Sequence, residues 1–344
     1  MTIGVRQTRP SQPTLEMVAE EAGVSRATVS RVVNGSPKVR ADIVAAVTAA
    51  VERLNYVPNR AARSLASHQT QAVALVVPED MTRFFGDPYF AAVVQGITRR
   101  LDESDYTLNL LVASSDPRHK TMRYLRSGNV DGALIISHHT GDEFVAELET
   151  TMPVVFGGRP STITGTNTYF VDVDNAAGAE TGTQRLIDVG RRRIGSITGP
   201  LDMPAGIDRL SGFLRTVEHA GIPTDAVEAA DFTAAGAAAA TTRLLDRCPD
   251  IDGLFVASDL MATGALAVLH ARGRSVPGDV AVVSFDDSPA ALSGPVQLTT
   301  VSQPSNEMGF AMADILLRRL AGDADDEVPL RTIMPTRLVL RDSA

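Results

Sequence analysis

The sequence predicts an N-terminal all-α head followed by an α/β body of two doubly wound, parallel-sheet halves. Three observations lead there. Residues 13–58 carry apolar side chains at helical spacing and no strand-like run. From residue 71, short aliphatic runs alternate with helix-length stretches, the pattern of parallel strands with helices on both faces. At 344 residues the chain exceeds the ~150 of one typical domain, and its body is too long for a single sheet.

The head reads as three helices. Thr14 caps the first, in which Leu15, Val18, Ala19 and Ala22 share one face and Gly23 ends the run. Ser25 caps the second, where Val29, Val32 and Val33 share a side and Asn34-Gly35 stops the helix. The third places Val39, Ile43, Val47, Val51 and Leu54 at 3–4 spacing. Two short helices joined at a glycine and braced by a third describe a helix-turn-helix, whose second helix enters the major groove of DNA. With the valines turned inward, Arg26, Ala27, Ser30, Arg31 and Asn34 face out. An arginine fork matches guanine O6 and N7, and Ser25 and Thr28 can reach phosphates near the helix start. Periodicity alone leaves a plain solvated amphipathic helix as an equal alternative.

In the body, VALVV, YTLNLLVA, GALIIS, PVVFGG, RIGSITG, GLFVAS and VAVVSF read as strands. Helices are expected near 88–104, 117–127, 175–189, 205–220, 236–247, 259–272 and 304–321. Ligands of such folds bind at the carboxyl ends of the strands.

Charge and composition narrow the function. The formal net charge is −9, yet residues 1–68 hold nine basic side chains against five acidic ones, leaving −13 for the rest. A basic head can meet phosphate while the acidic body is repelled by it. The longest aliphatic runs are strand-length, so no membrane contact is expected, and the N-terminus has no apolar signal segment. The single cysteine, Cys248, excludes an internal disulfide and a cysteine zinc site. A cytoplasmic location follows as an expectation. No G-x-S-x-G, P-loop or strand-linked G-x-G-x-x-G is present. Asp172, Asp174 and Asn175 lack the register of a calcium loop and are expected to cap a helix near Ala176. His138-His139 has no second metal ligand at a recognised spacing, which leaves a surface or pocket histidine. Asp286 and Asp287 are adjacent and therefore diverge, which suits binding or loop structure. No catalytic residue, metal or cofactor is expected.

The order of residues adds a resemblance. TLEMVAEEAGVSRATVSRVVNG with LNYVPNRAARSLAS resembles the DNA-binding head of the LacI family of bacterial transcription regulators, over residues 13–67. The resemblance implies that Arg26, Ala27 and Arg31 are the main base-reading positions. Ser25, Thr28, Ser30 and Asn34 fall on phosphate-contacting or supporting positions, joined in the DNA-binding set by Thr14, Tyr56, Asn59 and Arg60. NRAARSLAS is similar to the family's hinge helix, with Leu65 as a minor-groove wedge and Ala62 near the partner hinge. One departure stands out: Arg40 replaces the serine that usually starts the third helix, losing a cap hydroxyl of about 1 kcal/mol.

The body resembles the same family's sugar-sensing core, itself similar to periplasmic sugar-binding proteins, through DPYFAAVVQGI, NVDGALIIS, VDVDNAAGAE, DRLSGF, ASDLMATGAL, VPGDVAVVSFDD and LTTVSQP. The implied organisation is a disordered 1–12, a helix-turn-helix domain at 13–58, a hinge at 59–70 and an effector-binding and dimerisation domain at 71–344. That last domain divides into 71–170 with 300–329 and 171–299 with 330–344, crossing near 170, 299 and 330. The effector set carried over is Tyr89, Phe90, His138, Arg159, Arg209, Phe232, Ser258, Asp259 and Asp286; for Asp259, helix capping is the competing reading. RFFGDPYF, FGGRP, GPLDM and DFT look most like cellobiose- and β-glucoside-responsive repressors of actinobacteria. The function implied is a homodimeric repressor on a near-palindromic double-stranded operator, released by a small sugar such as a disaccharide. A maltose-type effector, a corepressor, or a sugar-binding protein without a DNA role are the alternatives.

Overall fold

The computed structural model describes residues 13–33, 36, 38–57, 69–113, 120–141, 147–161, 168–323 and 328–344, which fall into two compact units, 1–70 and 71–344.

In the first unit, α1 (Leu15–Glu21), α2 (Arg26–Val33) and α3 (Ala41–Leu54) close on Val18, Val29, Val47 and Ala50, all fully buried. The local signals act as chemistry requires. Thr14 Oγ1 accepts from the Met17 amide at 3.4 Å and Ser25 Oγ from the Thr28 amide at 3.2 Å. Gly23 turns between α1 and α2 at φ +67°, a conformation that glycine adopts without strain. α3 starts at Arg40 with no side-chain cap, and the guanidinium turns to Asp42 instead, Nε to Oδ1 at 3.1 Å. Tyr56, expected on the DNA face, is a core residue that is 7% exposed. It is drawn inward because α3 ends on left-handed Asn55 (φ 49°), which turns the chain back over the helices. Residues 1–12, Asn34, Asn59, Arg60, Ala62 and Leu65 lie outside the described residues.

The second unit holds two six-stranded sheets. β1 (Ala72–Val77), β2 (Thr107–Val112), β3 (Gly132–Ile136), β4 (Val154–Gly157), β5 (Tyr169–Val173) and β11 (Arg331–Met334) run parallel in the order β11-β5-β4-β3-β1-β2. β6 (Ile194–Thr198), β7 (Val227–Ala229), β8 (Gly253–Val256), β9 (Ala281–Asp286), β10 (Thr299–Ser302) and β12 (Arg337–Val339) form the other, in the order β12-β10-β9-β8-β6-β7. Only β12 is antiparallel there, against β10. The body is thus one strand order used twice. The covering helices are α4 (Met81–Gly86), α5 (Pro88–Leu101), α6 (Lys120–Arg126), α7 (Asn175–Asp188), α8 (Pro204–His219), α9 (Ala234–Arg247), α10 (Asp259–Ala271) and α11 (Ser305–Ala321).

The crossings between subdomains lie a few residues later than expected. β5 stays in the first sheet through Val173, β10 in the second through Ser302, and β11 in the first through Met334. A strand is hydrogen-bonded along its length, so each switch falls in the loop after its carboxyl end, near 174, 303 and 335. β11 therefore belongs to the first subdomain and β10 to the second, reversing the expected placement of both.

α5 and α11 touch backbone to backbone. A Cβ on Gly309 would stand 2.1 Å from the Val93 carbonyl oxygen, and one on Gly96 would stand 1.8 Å from that of Asn306. Gly309→Ala should therefore push the helices apart and cost about 1–3 kcal/mol. The measurement is the urea midpoint of the body; an unshifted midpoint would show that the contact gives way without cost.

Candidate functional site

Two regions collect the candidate residues. On α2, Val29 is buried, whereas Ser25, Arg26, Ala27 and Arg31 are exposed and Thr28 and Ser30 are half-buried. The Ser25 and Thr28 hydroxyls bond each other at 2.9 Å. Arg31 makes no ion pair among the described residues, whereas Arg26 Nε meets Glu16 Oε1 at 3.0 Å. Thr14 remains exposed as the α1 cap.

The second region is a cleft at the carboxyl ends of both sheets, between the two halves of the body. The sequence-expected Tyr89, Phe90, His138, Arg159, Arg209, Phe232, Ser258 and Asp286 all line it. Asp259 does not. It is fully buried behind the wall, where its carboxylate accepts from Ser284 Oγ at 2.5 Å, Thr300 Oγ1 at 2.7 Å and the Ser288 amide at 2.7 Å. Ser258 takes the capping role, accepting from the Met261 amide at 3.2 Å, so the next residue turns away from the cleft. Asp286 and Asp287 do diverge: Asp287 pairs with Arg341 at 2.5 Å while Asp286 faces the cleft.

Arg209 organises one wall. Its Nε donates to Asn175 Oδ1 at 2.9 Å and its Nη1 to the Ala257 carbonyl at 2.6 Å and to Asp286 Oδ1 at 3.4 Å, over the Phe285 ring at 3.7 Å. Gln303 Nε2 also donates to Asp286 Oδ1, at 2.6 Å, which leaves Oδ2 without a partner among the described residues. Burial pushes the Asp286 carboxyl well above its usual range, against the pull of Arg209. Burial likewise raises Asp87, Asp172 and the Tyr89 phenol. Phe232 sits at φ 60° over Gly199, where a Cβ would stand 2.2 Å from the ring. Among the described residues, Ser137 (φ 58°) and Asp286 (φ 113°) are the other non-glycine residues of the cleft at positive φ, a concentration of backbone strain typical of binding sites.

His138 is neutral, its pKa lowered to about 4 by burial. Its Nε2 lies 3.2 Å from the Arg159 carbonyl and must donate to it, so Nδ1 is an acceptor, and it has no partner among the described residues. Arg83 Nε is a buried donor in the same condition. Among the described residues, no group of three His, Cys, Asp or Glu side chains is placed to hold a metal ion.

Arg83, Asp87, Asp172, Asn175 and Gln303 line the cleft but were absent from the sequence-derived site. The sequence points to Asp172 as part of a helix cap. The cap is Asp174, whose Oδ1 accepts from the Ala177 amide at 2.9 Å, while Asp172 holds the Arg159 amide at 2.7 Å. The strand boundary makes that distinction: Asp172 lies within β5, whereas Asp174 follows its last residue and caps α7.

Several contacts bridge the cleft, among them Arg83 Nη2 to Met203 Sδ at 3.7 Å. Arg159 Nη2 reaches both oxygens of Asp208 at 2.9 Å, the Thr140 amide donates to the Asp202 carbonyl at 2.8 Å, and His139 Nδ1 meets Asp202 Oδ2 at 2.8 Å. His139 Nε2 also meets Glu79 Oε1 at 3.2 Å, so both ring nitrogens face carboxylates and the imidazolium is favoured. Glu79 chiefly, then Asp202, raise its pKa to about 9. A histidine with a raised pKa contributes its full stabilisation below its ordinary 6.5 and loses it as pH climbs through about 9. Raising pH from 6.5 to 9.5 should therefore loosen the bridge, read as an increase in the radius of gyration by X-ray scattering. His139→Gln should abolish the dependence; an equal response in the variant would exclude His139 as its origin.

Residues 14–59 match the family described as bacterial regulatory proteins, lacI family, and residues 183–344 match the periplasmic binding protein-like domain. Over 339 residues the chain is 44% identical to the HTH-type transcriptional regulator CelR of Thermobifida fusca, covering 97% of this chain and 99% of that one. The chain belongs to the lacI family. The ribose operon repressor of Escherichia coli K12 is 32% identical over 314 residues, covering 89% of this chain and 93% of the repressor. Among solved structures, a transcriptional regulator CelR–cellobiose complex matches with a TM-score of 0.76 at 42% identity, over 96% of this chain and all of that one. The lac repressor dimer bound to operator and the anti-inducer ONPF matches with a TM-score of 0.84 at 28% identity, over 97% and 99%. This lacI-family chain therefore has the expected architecture, a helix-turn-helix head on a periplasmic-binding-like body. No helix among the described residues is long and apolar enough to cross a membrane.

Proposed function

We propose that this lacI-family regulator is a cytoplasmic homodimer that represses sugar-utilisation genes and leaves its operator when a neutral disaccharide, cellobiose or a related β-glucoside, occupies the cleft. One observation carries the ligand class. The cleft is lined by three arginines and three aspartates, and the charges are largely answered within the protein. Arg159 pairs with Asp208, Arg209 with Asp286, and Arg83 with Glu79 at 2.5 Å. Each of these three guanidiniums already has a carboxylate partner. Without a partner among the described residues, and suited to hydroxyls, are Asp286 Oδ2, His138 Nδ1 and Arg83 Nε, in a cleft that the Phe90 and Phe232 rings also line. The likeness to the CelR–cellobiose complex supports cellobiose in particular.

At the other end, Arg26, Ala27 and Arg31 read bases in the major groove and Ser25 and Thr28 hold phosphate. Ala27 offers a methyl group only, so the two arginines carry the hydrogen-bonded readout and guanines belong in each half-site. A dimer sets two α2 helices in successive major grooves of a near-palindrome.

The test is an operator-binding titration against cellobiose, gentiobiose, maltose, glucose and glucose 6-phosphate. Release by cellobiose or gentiobiose alone is the expected result. Release by the phosphate ester would overturn the ligand class, and tighter binding with any sugar would reverse the sign of regulation.

A further inference from the structure

Glu16 is an acidic side chain on the part of the head that carries Arg26. It stands in the first turn of α1, 60% exposed, with Oε1 3.0 Å from Nε of the 73% exposed Arg26. Its own amide and the Thr14 hydroxyl, with Arg26 a smaller contribution, hold its carboxyl below the usual range, so it is charged at neutral pH. An exposed ion pair of this kind contributes little to stability, and the head already has a closed core in Val18, Val29, Val47 and Ala50. An acidic group beside a phosphate-facing surface also weakens binding to any DNA. The pair therefore calls for a role other than stability or general affinity.

The contact atom indicates that role. The nearest approach of the Glu16 carboxylate is to Nε, the inner nitrogen, and the Arg26 side chain remains 73% exposed. A paired donor edge is what guanine O6 and N7 accept. An arginine side chain has large rotamer freedom, and a carboxylate that holds it beforehand removes part of that loss on docking. The same carboxylate competes with backbone phosphate for the guanidinium. We propose that Glu16 is a positioning residue for Arg26, which raises discrimination for guanine at the Arg26 base pair and lowers affinity for DNA in general. This rests on the reading of Arg26 as a base contact.

The experiment uses the full chain and an operator selected by the wild-type protein from a random duplex library. Fluorescence anisotropy compares that operator, its variant with the Arg26-linked guanine replaced, and an unrelated duplex. Glu16→Ala should raise affinity for the unrelated duplex about two- to threefold, as expected for removal of one negative charge near phosphate. It should also lower the operator-to-variant ratio about five- to tenfold, and Glu16→Asp should recover part of that ratio. Arg26→Ala should lower the ratio at least as far, and adding Glu16→Ala to it should change the ratio no further. Additive loss in the double variant would overturn the proposal, because Glu16 would then read a base itself, for instance by accepting from cytosine N4. An unchanged ratio in Glu16→Ala beside a fallen one in Arg26→Ala would also overturn it. An unchanged ratio in Arg26→Ala would instead sink the reading of Arg26. Should Glu16→Ala unfold the head in circular dichroism melts, Glu16→Gln, which keeps the shape and removes the charge, gives the same comparison.

Discussion

Asp286→Ala is expected to abolish release by sugar while operator binding stays intact. The side chain sits at the end of β9, facing a cleft that opens between both sheets. Its Oδ1 is already held by Gln303 and Arg209, so its position is set before a ligand arrives, and Oδ2 is the open acceptor. A hydrogen bond between this carboxyl and a sugar hydroxyl contributes roughly 1–3 kcal/mol, and preorganisation keeps most of that as affinity. Loss of this bond, together with the disorder passed to Gln303 and Arg209, should raise the sugar concentration needed for release by about a hundredfold or more. Because Arg209 keeps Asn175 and the Ala257 carbonyl as partners, the body should still fold. Asp286→Asn, which preserves volume, gives an intermediate response. Sugar titrations of an operator complex and a thermal melt of each variant decide the matter. Release at the wild-type sugar concentration in the alanine variant would move the effector site elsewhere.

The same cleft shows how far residues alone could lead. Buried aliphatic strands such as β1, β3 and β9 were legible because a parallel strand covered on both faces is continuous hydrophobic sequence. β10 was not recognised as a strand because its TTVS is rich in threonine, and β7 because it spans three residues at a sheet edge. α4 is a six-residue helix capped by Asp80, too short for a periodic signal. Cleft residues embedded in long recognisable phrases, such as Arg209 in DRLSGF, were found. Gln303 was missed because it lies in a crossover, where its importance comes from the partner that the fold delivers, Asp286, and not from its neighbours in sequence. Asp259 failed in the opposite way. It adjoins a true cleft residue, but the first turn of α10 rotates its carboxylate onto Ser284 and Thr300.

Arg31→Ala should weaken binding to the operator by about 1–3 kcal/mol per half-site, far more than to random duplex. The argument starts from what α2 has left after packing. Val29 is spent on the core and Ala27 can offer only a methyl group. Arg26 is engaged by Glu16, whereas Arg31 makes no ion pair among the described residues and stands exposed one turn further along. Its whole guanidinium is therefore available to the groove. Two half-sites in a dimer double the effect, so the operator complex should weaken by a factor on the order of 10²–10⁴. The salt dependence separates the roles. A base contact removed from the interface leaves the slope of log K against log [salt] nearly unchanged, whereas a lost phosphate contact lowers it by about one per arginine. Anisotropy titrations at several salt concentrations, on operator and on random duplex, provide both readings. Equal weakening on the two duplexes with a shallower salt slope would make Arg31 a phosphate contact and leave Arg26 as the principal base reader.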